Sequence, residues 1–308
     1  RGLATPLTLE PDHTDIMAAR DSGFLQIHCA SCQEVLDSVL IAYRLAEDRR
    51  VRLPVIVNLD GFYLSFTREP VEIPEPATVS RFLPPCDAES TRFSASAPPS
   101  QAVAVLSGTP YSYFRYETHL AALNAISVYD ETAAAFADVF GRQHAAVEAY
   151  RCEDADIVFV MIGSFASKAR EAVDRLREAG QSVGLVRPRL LRPFPAEHLQ
   201  RLLAGKHGVA VVDQNLSMGM GGVLHTELSS ALYGCPGAPP VLLSFVGGLG
   251  GRDITPEEFY EIAAVTRQAV EDGVLPPPRL LYTRDEVREV TKLQAIAHAE
   301  RNELETGE

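Results

Sequence analysis

Hydrophobic and polar positions alternate between two periods along this chain, and the two periods sort it into strands and helices. Residues 156–163 (DIVFVMIG) form a continuous apolar run, too short for a buried helix and rich enough in branched residues for a fully buried strand. Ser164 and Ser167 offer caps for the next segment, where Lys168–Ala179 carries apolar residues at helical spacing until Gly180 stops it. Ser182–Val186 predicts a second strand, Pro195–Leu203 a helix with Pro near its start, and Gly208–Val212 a third strand. A Gly-rich turn then leads to a helix at Gly222–Leu232 and a fourth strand at Val241–Val246. Thr255–Val270 is a helix with Thr as cap, Pro first and Glu258 three after the cap. Strands alternating with helices at this spacing predict a parallel sheet covered on both faces.

The N-terminal part repeats the pattern but looks cut short. Phe24–His28 predicts a strand, Ser31-Cys32-Gln33-Glu34 a capping box opening a helix to Glu47, and Pro54–Leu59 another buried strand that ends in Asp60-Gly61-Phe62. Two strands and one helix do not close a domain. Either this region docks on the second one, or its first strands lie upstream of Arg1. From Glu69 to Pro110 proline recurs eight times, the mark of a linker or wrapping segment, and Tyr111–Tyr150 holds a helix from about Thr132. After Pro276–Pro278 a polar helix is expected at Arg284–Glu303, with too few apolar positions to complete a core and a better fit to a partner surface. The resulting division is 1–75, 76–150 (Pro-rich linker and bridging helix), 151–275, and a helical tail at 276–308.

Composition narrows the function classes. The 308 residues carry 28 basic and 41 acidic side chains, a formal net charge of −13, which argues against nucleic acid or an anionic membrane as partner. No apolar run approaches the ~18 residues of a membrane span, and no secretory leader follows Arg1. Five scattered cysteines suit a reduced, cytoplasmic setting and do not supply an ordinary four-Cys iron–sulfur run.

Four short strings carry potential chemistry. Cys29-Ala30-Ser31-Cys32 has redox or half-zinc-site spacing, but with no second pair the helix-capping reading is preferred. Gly219-Met220-Gly221-Gly222, between strand and helix, has the makings of a phosphate cradle, or simply of a tight turn. Gly247–Gly251 follows a strand end, the functional edge of such sheets. Asp12-His13-Thr14-Asp15 reads as a metal site, an Asp–His proton shuttle, or a plain helix cap, the last preferred. Arg1 and Arg20 flank that string, each a natural fork for a substrate carboxylate.

Taken together, the segments PDHTDIMAARDSGF (Pro11–Phe24), CQEVLDSVLIAYRLAED (Cys32–Asp48), LPVIVNLDGFYLSFTREPVEIPE (Leu53–Glu75), IGSFASKAREAVDRLREAGQSVGLVRPRLLRPFP (Ile162–Pro195), VVDQNLSMGMGGVLHTEL (Val211–Leu228) and VGGLGGRDITPEEF (Val246–Phe259) resemble the α subunit of the 2-oxoacid:ferredoxin oxidoreductases, most closely the pyruvate type. The resemblance implies an α/β fold: an incomplete thiamine-diphosphate pyrimidine-binding domain followed by a transketolase C-terminal-like parallel-sheet domain. It implies CoA-dependent oxidative decarboxylation of a 2-oxoacid, with ferredoxin as acceptor, by a cytoplasmic hetero-oligomer. Thiamine diphosphate with Mg2+ and the iron–sulfur clusters are then held mainly by partner subunits: a thiamine- and cluster-binding β subunit, with γ- and δ-type subunits alongside. None is bound by this chain alone. It places Arg1 at the family's carboxylate-binding arginine and Leu9 beside the bound substrate, and assigns this chain no catalytic or metal-ligating residue.

The sequence departs from the family where the Tyr-Pro-Ile-Thr-Pro-like loop and the glutamate that activates the aminopyrimidine are absent from the 308 residues. Glu10 stands where an aromatic residue is usual, and Phe66 where His is usual. Two other readings therefore stand beside the first: a non-redox transketolase-like or 2-oxoacid dehydrogenase β-type subunit, and a non-catalytic scaffold remnant.

Overall fold

The computed structural model describes residues 2, 8–86, 94–98 and 108–306, with side chains through 301. In chain order the elements are α1 (Thr14–Ala18), β1 (Leu25–His28), α2 (Cys32–Glu47), β2 (Val55–Asn58), α3 (Pro76–Phe82), α4 (Gly108–Phe140), β3 (Val147–Tyr150), β4 (Ile157–Val160), α5 (Ala166–Glu178), β5 (Val183–Pro188), β6 (Leu190–Arg192), α6 (Ala196–Leu203), β7 (Gly208–Asp213), α7 (Val223–Leu232), β8 (Val241–Val246), α8 (Pro256–Asp272), β9 (Arg279–Leu280) and α9 (Arg284–Thr306).

The larger sheet has the order β3-β5-β4-β7-β8-β9. Its central strands are buried on both faces because successive side chains point opposite ways. Ile157, Phe159 and Met161 meet α5 and α8 on one face, whereas Val158, Val160 and Ile162 meet α6 and α7 on the other. α8 begins with the full capping box expected at Thr255 and Glu258. The expectation of an all-parallel sheet is corrected at one edge. β3 runs antiparallel to β5, with Val147 opposite Pro188 and Tyr150 opposite Leu185. Its four residues follow the long helix after six intervening positions, inside the stretch expected to be helical, and Val-Glu-Ala-Tyr carries little periodic signal of its own.

In the smaller sheet the N-terminal region docks on the second one, the first of the two alternatives raised by its short strands. β1 pairs in parallel with β2 and antiparallel with β6, a strand contributed by the second region. β1 is buried throughout, but β2 is the edge and only half-buried, not the buried strand its composition predicts. α2 and α4 cover this sheet. α4 is longer than expected, 33 residues from Gly108, or about 50 Å at 1.5 Å per residue. Ala125, Val128, Tyr129, Thr132, Ala133 and Phe136 bury one stripe of its second half, and Phe82 of α3 packs edge-on to Phe136. The first half exposes Tyr111, Tyr113, Phe114 and Tyr116, which breaks the amphipathic period and hides the helix start. No helix among the described residues is long and apolar enough to cross a membrane.

Candidate functional site at the carboxyl ends of the strands

The carboxyl ends of β1, β2 and β4 bring together side chains that lie far apart in sequence. His28 is the last residue of β1, and Asp60 follows β2 by two positions. His13, at the N-terminal cap of α1, places Nε2 2.8 Å from Asp60 Oδ1, while His28 Nε2 lies 3.1 Å from the same oxygen. The two imidazoles meet edge-on with centroids 4.5 Å apart. Asn58 Nδ2 lies 3.1 Å from His28 Nδ1 and 3.3 Å from Nε2, and because an ionised Asp60 can only accept, Nε2 is the nitrogen that carries the proton toward it. The other carboxylate oxygen accepts from the Ser164 N–H and hydroxyl, both at 2.6 Å. Gly163 is required here: its φ is +83°, and a Cβ would come within 2.7 Å of Asp60 Oδ2.

Electrostatics follow from this packing. Burial opposes ionisation of Asp60, yet its interactions with His13 and His28 outweigh that and hold the carboxyl well below its ordinary range. Burial, with the neighbouring His13, lowers the His28 pKa. His13, His28 and Asp60 have their ligand atoms within 4.8 Å of one another, the dimension of a metal triad. However, the His28 tautomer aims a proton at Asp60, so the group is already joined by its own hydrogen bonds. The metal or proton-shuttle reading of the Asp12–Asp15 string is accordingly redrawn. Asp12 caps the Thr14 N–H at 2.9 Å, Asp15 bonds the Ile16 N–H, and His13 turns instead to an aspartate 47 positions away.

The segment ahead of His13 is held along the edge of the larger sheet. The His13 N–H donates to the Gln214 carbonyl at 2.9 Å, and the Gly251 N–H to the Pro11 carbonyl at 2.7 Å. Tyr63 donates its hydroxyl to the Gly251 carbonyl at 2.7 Å. Leu9 and Glu10 are exposed on this ridge, as is Phe66, stacked on Phe62. Arg1 lies outside the described residues. Arg20 pairs with Asp21 and Glu227, and its guanidinium donates to the Met17 carbonyl, so it is not the free fork considered from sequence.

Two of the glycine and cysteine motifs find structural explanations. In the 219–222 turn the N-terminus of α7 is filled by one of the protein's own carboxyl groups: Asp213 accepts the Leu224 and His225 N–H groups at 2.8 and 3.1 Å. A Cβ on Gly222 would overlap that carboxylate. The cradle reading is thereby overturned. Burial pushes the Cys29 thiol up to about 12, and burial with Glu69 raises Cys32, so neither is a thiolate at neutral pH. Ser31 caps the Glu34 N–H, but the Glu34 side chain goes to the Ala30 N–H, Arg187 and Arg189, making half of the expected capping box.

The described residues do not make a thiamine diphosphate site by themselves. Their buried carboxylates are Glu34, Asp37, Asp60, Asp213 and Glu258. Each is already bound: Glu34 by Arg187 and Arg189, Asp37 by Arg142 and His144, Asp60 by histidines and Ser164, Asp213 by α7, and Glu258 by Arg252. None is free to face an aminopyrimidine, and the 219–222 glycine turn is occupied by Asp213.

The polar cluster lies at the carboxyl strand ends, where open α/β sheets bind their ligands. Residues 1–134 match the family described as pyruvate flavodoxin/ferredoxin oxidoreductase, thiamine-diphosphate-binding, and 155–259 match pyruvate:ferredoxin oxidoreductase core domain II. Pyruvate synthase subunit PorA of Methanothermobacter thermautotrophicus is 41% identical over 269 residues, 86% of this chain and 68% of that protein. Ketoisovalerate oxidoreductase subunit VorA of Pyrococcus horikoshii is 38% identical over 278 residues, 89% of this chain and 69% of that one. The fold matches the 2-oxoglutarate:ferredoxin oxidoreductase of Magnetococcus marinus, solved with 2-oxoglutarate, coenzyme A and succinyl-CoA bound. The TM-score is 0.51 at 18% identity, over 87% of this chain and about half (47%) of that one. The chain belongs to the family of α subunits of pyruvate and other 2-oxoacid:ferredoxin oxidoreductases.

The sequence places the His13 string at the start of a helix and the Asp60 turn at a strand end but does not join them. The available signal is that Asp60 and His28 end neighbouring parallel strands, where such sheets collect function.

Proposed function

We propose that this chain is the substrate-facing α subunit of a cytoplasmic hetero-oligomer that converts a 2-oxoacid, pyruvate first, and coenzyme A into acyl-CoA and CO2. Two electrons pass to ferredoxin and one proton is released. Thiamine diphosphate with Mg2+ supplies the carbanion chemistry when bound, and it and the iron–sulfur clusters are held mainly by the partner β, γ and δ-type subunits. In this chain Arg1 pairs both oxygens of the oxoacid carboxylate, and Leu9 lies beside the substrate. The observation that carries the reading is the fastening of the 8–13 segment to Gly251, Gln214 and Asp60, which gives the substrate-facing stretch a rigid base. Exposed apolar residues on α4 and α9, among them Tyr113, Phe114, Leu293 and Ile296, suit burial against those subunits.

The test is viologen reduction by the assembled complex across a panel of 2-oxoacids with CoA. Arg1→Ala is expected to raise KM for the preferred oxoacid at least tenfold, about 1.4 kcal/mol. An unchanged KM removes Arg1 from the site, and absence of CoA-dependent reduction with every oxoacid removes the activity.

A further inference from the structure

The loop after β8 joins two parts of the chain that do not otherwise meet, the segment ahead of His13 and the first turn of α9. Gly251 commits both sides of its backbone to the first: its N–H donates to the Pro11 carbonyl and its carbonyl accepts from the Tyr63 hydroxyl, each at 2.7 Å. The next residue, Arg252, commits its side chain to the second. Its Nε and Nη2 take the two Glu286 oxygens at 2.7 and 2.6 Å, a bidentate fork onto α9. Nη2 also donates to Glu258 of α8 at 2.8 Å, and Nη1 to Glu258 at 3.3 Å and to the Asp253 carbonyl at 3.0 Å. The guanidinium lies over the Tyr282 ring, 5.3 Å from its centroid.

Both neighbours of Arg252 depend on it for placement. The loop before it is Gly-Gly-Leu-Gly-Gly, with its single side chain, Leu249, only half-buried. Such a stretch has little of its own to fix its backbone, so its position is set by the groups at its ends. On the other side, Thr283 and Glu286 close a capping box: the Thr283 N–H donates to Glu286 Oε2 at 2.7 Å, and the Glu286 N–H to the Thr283 hydroxyl at 3.2 Å. Beyond that turn every residue of α9 from Val287 to Arg301 is exposed, so the helix is held at its start. Glu258 is buried and gives the guanidinium a fixed seat in the body, whereas Glu286 is the half of the pairing that belongs to the tail.

We propose that Arg252 is a positioning residue for the 2-oxoacid: the seating of α9 on Arg252 through Glu286 fixes the Gly251 turn, and with it the 9–11 segment, so that the tail helix sets the affinity for substrate. This rests on the proposed role of the segment from Arg1 to Leu9 in facing the oxoacid.

The test is steady-state viologen reduction by the assembled complex, with the preferred 2-oxoacid and CoA varied in turn, together with hydrogen exchange at the Gly251 amide. Glu286→Gln is the deciding variant, because glutamine keeps the α9 capping box and removes only the charge partner of Arg252. It is expected to raise KM for the oxoacid about fivefold and to speed exchange at Gly251, with kcat and the KM for CoA within about twofold of the parent. Loss of folded complex would instead lower kcat and leave KM alone. Arg252→Ala is expected to act in the same direction, and Arg252→Lys, which keeps the charge without the bidentate fork, to recover part of the affinity. Arg288→Gln, on α9 but paired with Asp285, is expected to leave KM as in the parent. Parental KM or parental exchange at Gly251 in Glu286→Gln overturns the proposal while the oxoacid activity of the parent stands. An equal rise of KM in Arg288→Gln overturns it too, and a parent complex without oxoacid turnover removes this inference together with the reading beneath it.

Discussion

Asp60 and Asp213 are both buried aspartates at strand ends, and their surroundings drive them in opposite directions. Asp60 faces two imidazoles and Ser164 and stays ionised far below its usual range. Asp213 has only two backbone N–H groups, which do not offset its burial, so its pKa rises to about 7. A raised carboxyl pKa means the folded state holds a proton that the unfolded chain has lost. This contribution is fully present below about pH 4 and is lost as pH rises to 7, at about 1.4 kcal/mol per pH unit. His28 works against it: its lowered pKa lets the unfolded state take the proton first, so its contribution is lost as pH falls below about 6.5. Comparing Asp213→Asn with the parent isolates the aspartate, since His28 is common to both. The stability of the variant, measured by urea unfolding of the complex from pH 4.5 to 7, is expected to lack the downward component that the parent shows. Equal slopes would mean that Asp213 is ionised in the folded state.

At the scale of elements, the loop after β8 has a role that its five-residue string only hints at. Gly251 has φ +77°, and a Cβ there would come within 2.6 Å of the Glu10 side chain. Gly251→Ala therefore strains the turn and pushes the 9–11 segment outward. The expected result is a fall of about tenfold in kcat/KM for the 2-oxoacid, with unfolding of the assembly shifted by only about 1 kcal/mol. Undiminished kcat/KM would show that this segment does not position substrate. Most helices and strands were legible because their apolar residues repeat at 3.6 or 2. The unbroken apolar run from Ile157 to Ile162 even signals that both faces of β4 are covered. What escaped were features decided by residues distant in sequence. Glu34 abandons its capping box for Arg187 and Arg189, 153 and 155 positions on, and His13 leaves Asp12 and Asp15 for Asp60. The direction of β3 and the exposed first half of α4 likewise depend on tertiary neighbours, not local period.

For the molecule as a whole, the decisive fact is that the smaller sheet is built by both regions. β6 belongs by sequence to the second region yet completes this sheet against β1, and Leu190 joins the core built by α2 and α4. Charge follows the same seam: Glu34 of α2 is held by Arg187 and Arg189, on and just after β5. Burial of Glu34 is outweighed by those two arginines, and its pKa drops to about 2. A depressed carboxyl pKa gives stability that is present above the unfolded value of about 4.5 and is lost as pH falls toward 2. Removing the charge at neutral pH leaves two buried guanidiniums with one counter-charge fewer, a loss of about 3–5 kcal/mol. Because a shared strand couples the layers, this loss belongs to both. Glu34→Gln is expected to move the whole unfolding transition of the chain, followed by far-UV circular dichroism and by hydrogen exchange at β1 and β4, to lower urea as one step. Separate transitions at the two strands, with β4 protected as in the parent, would show that the second region folds without the first.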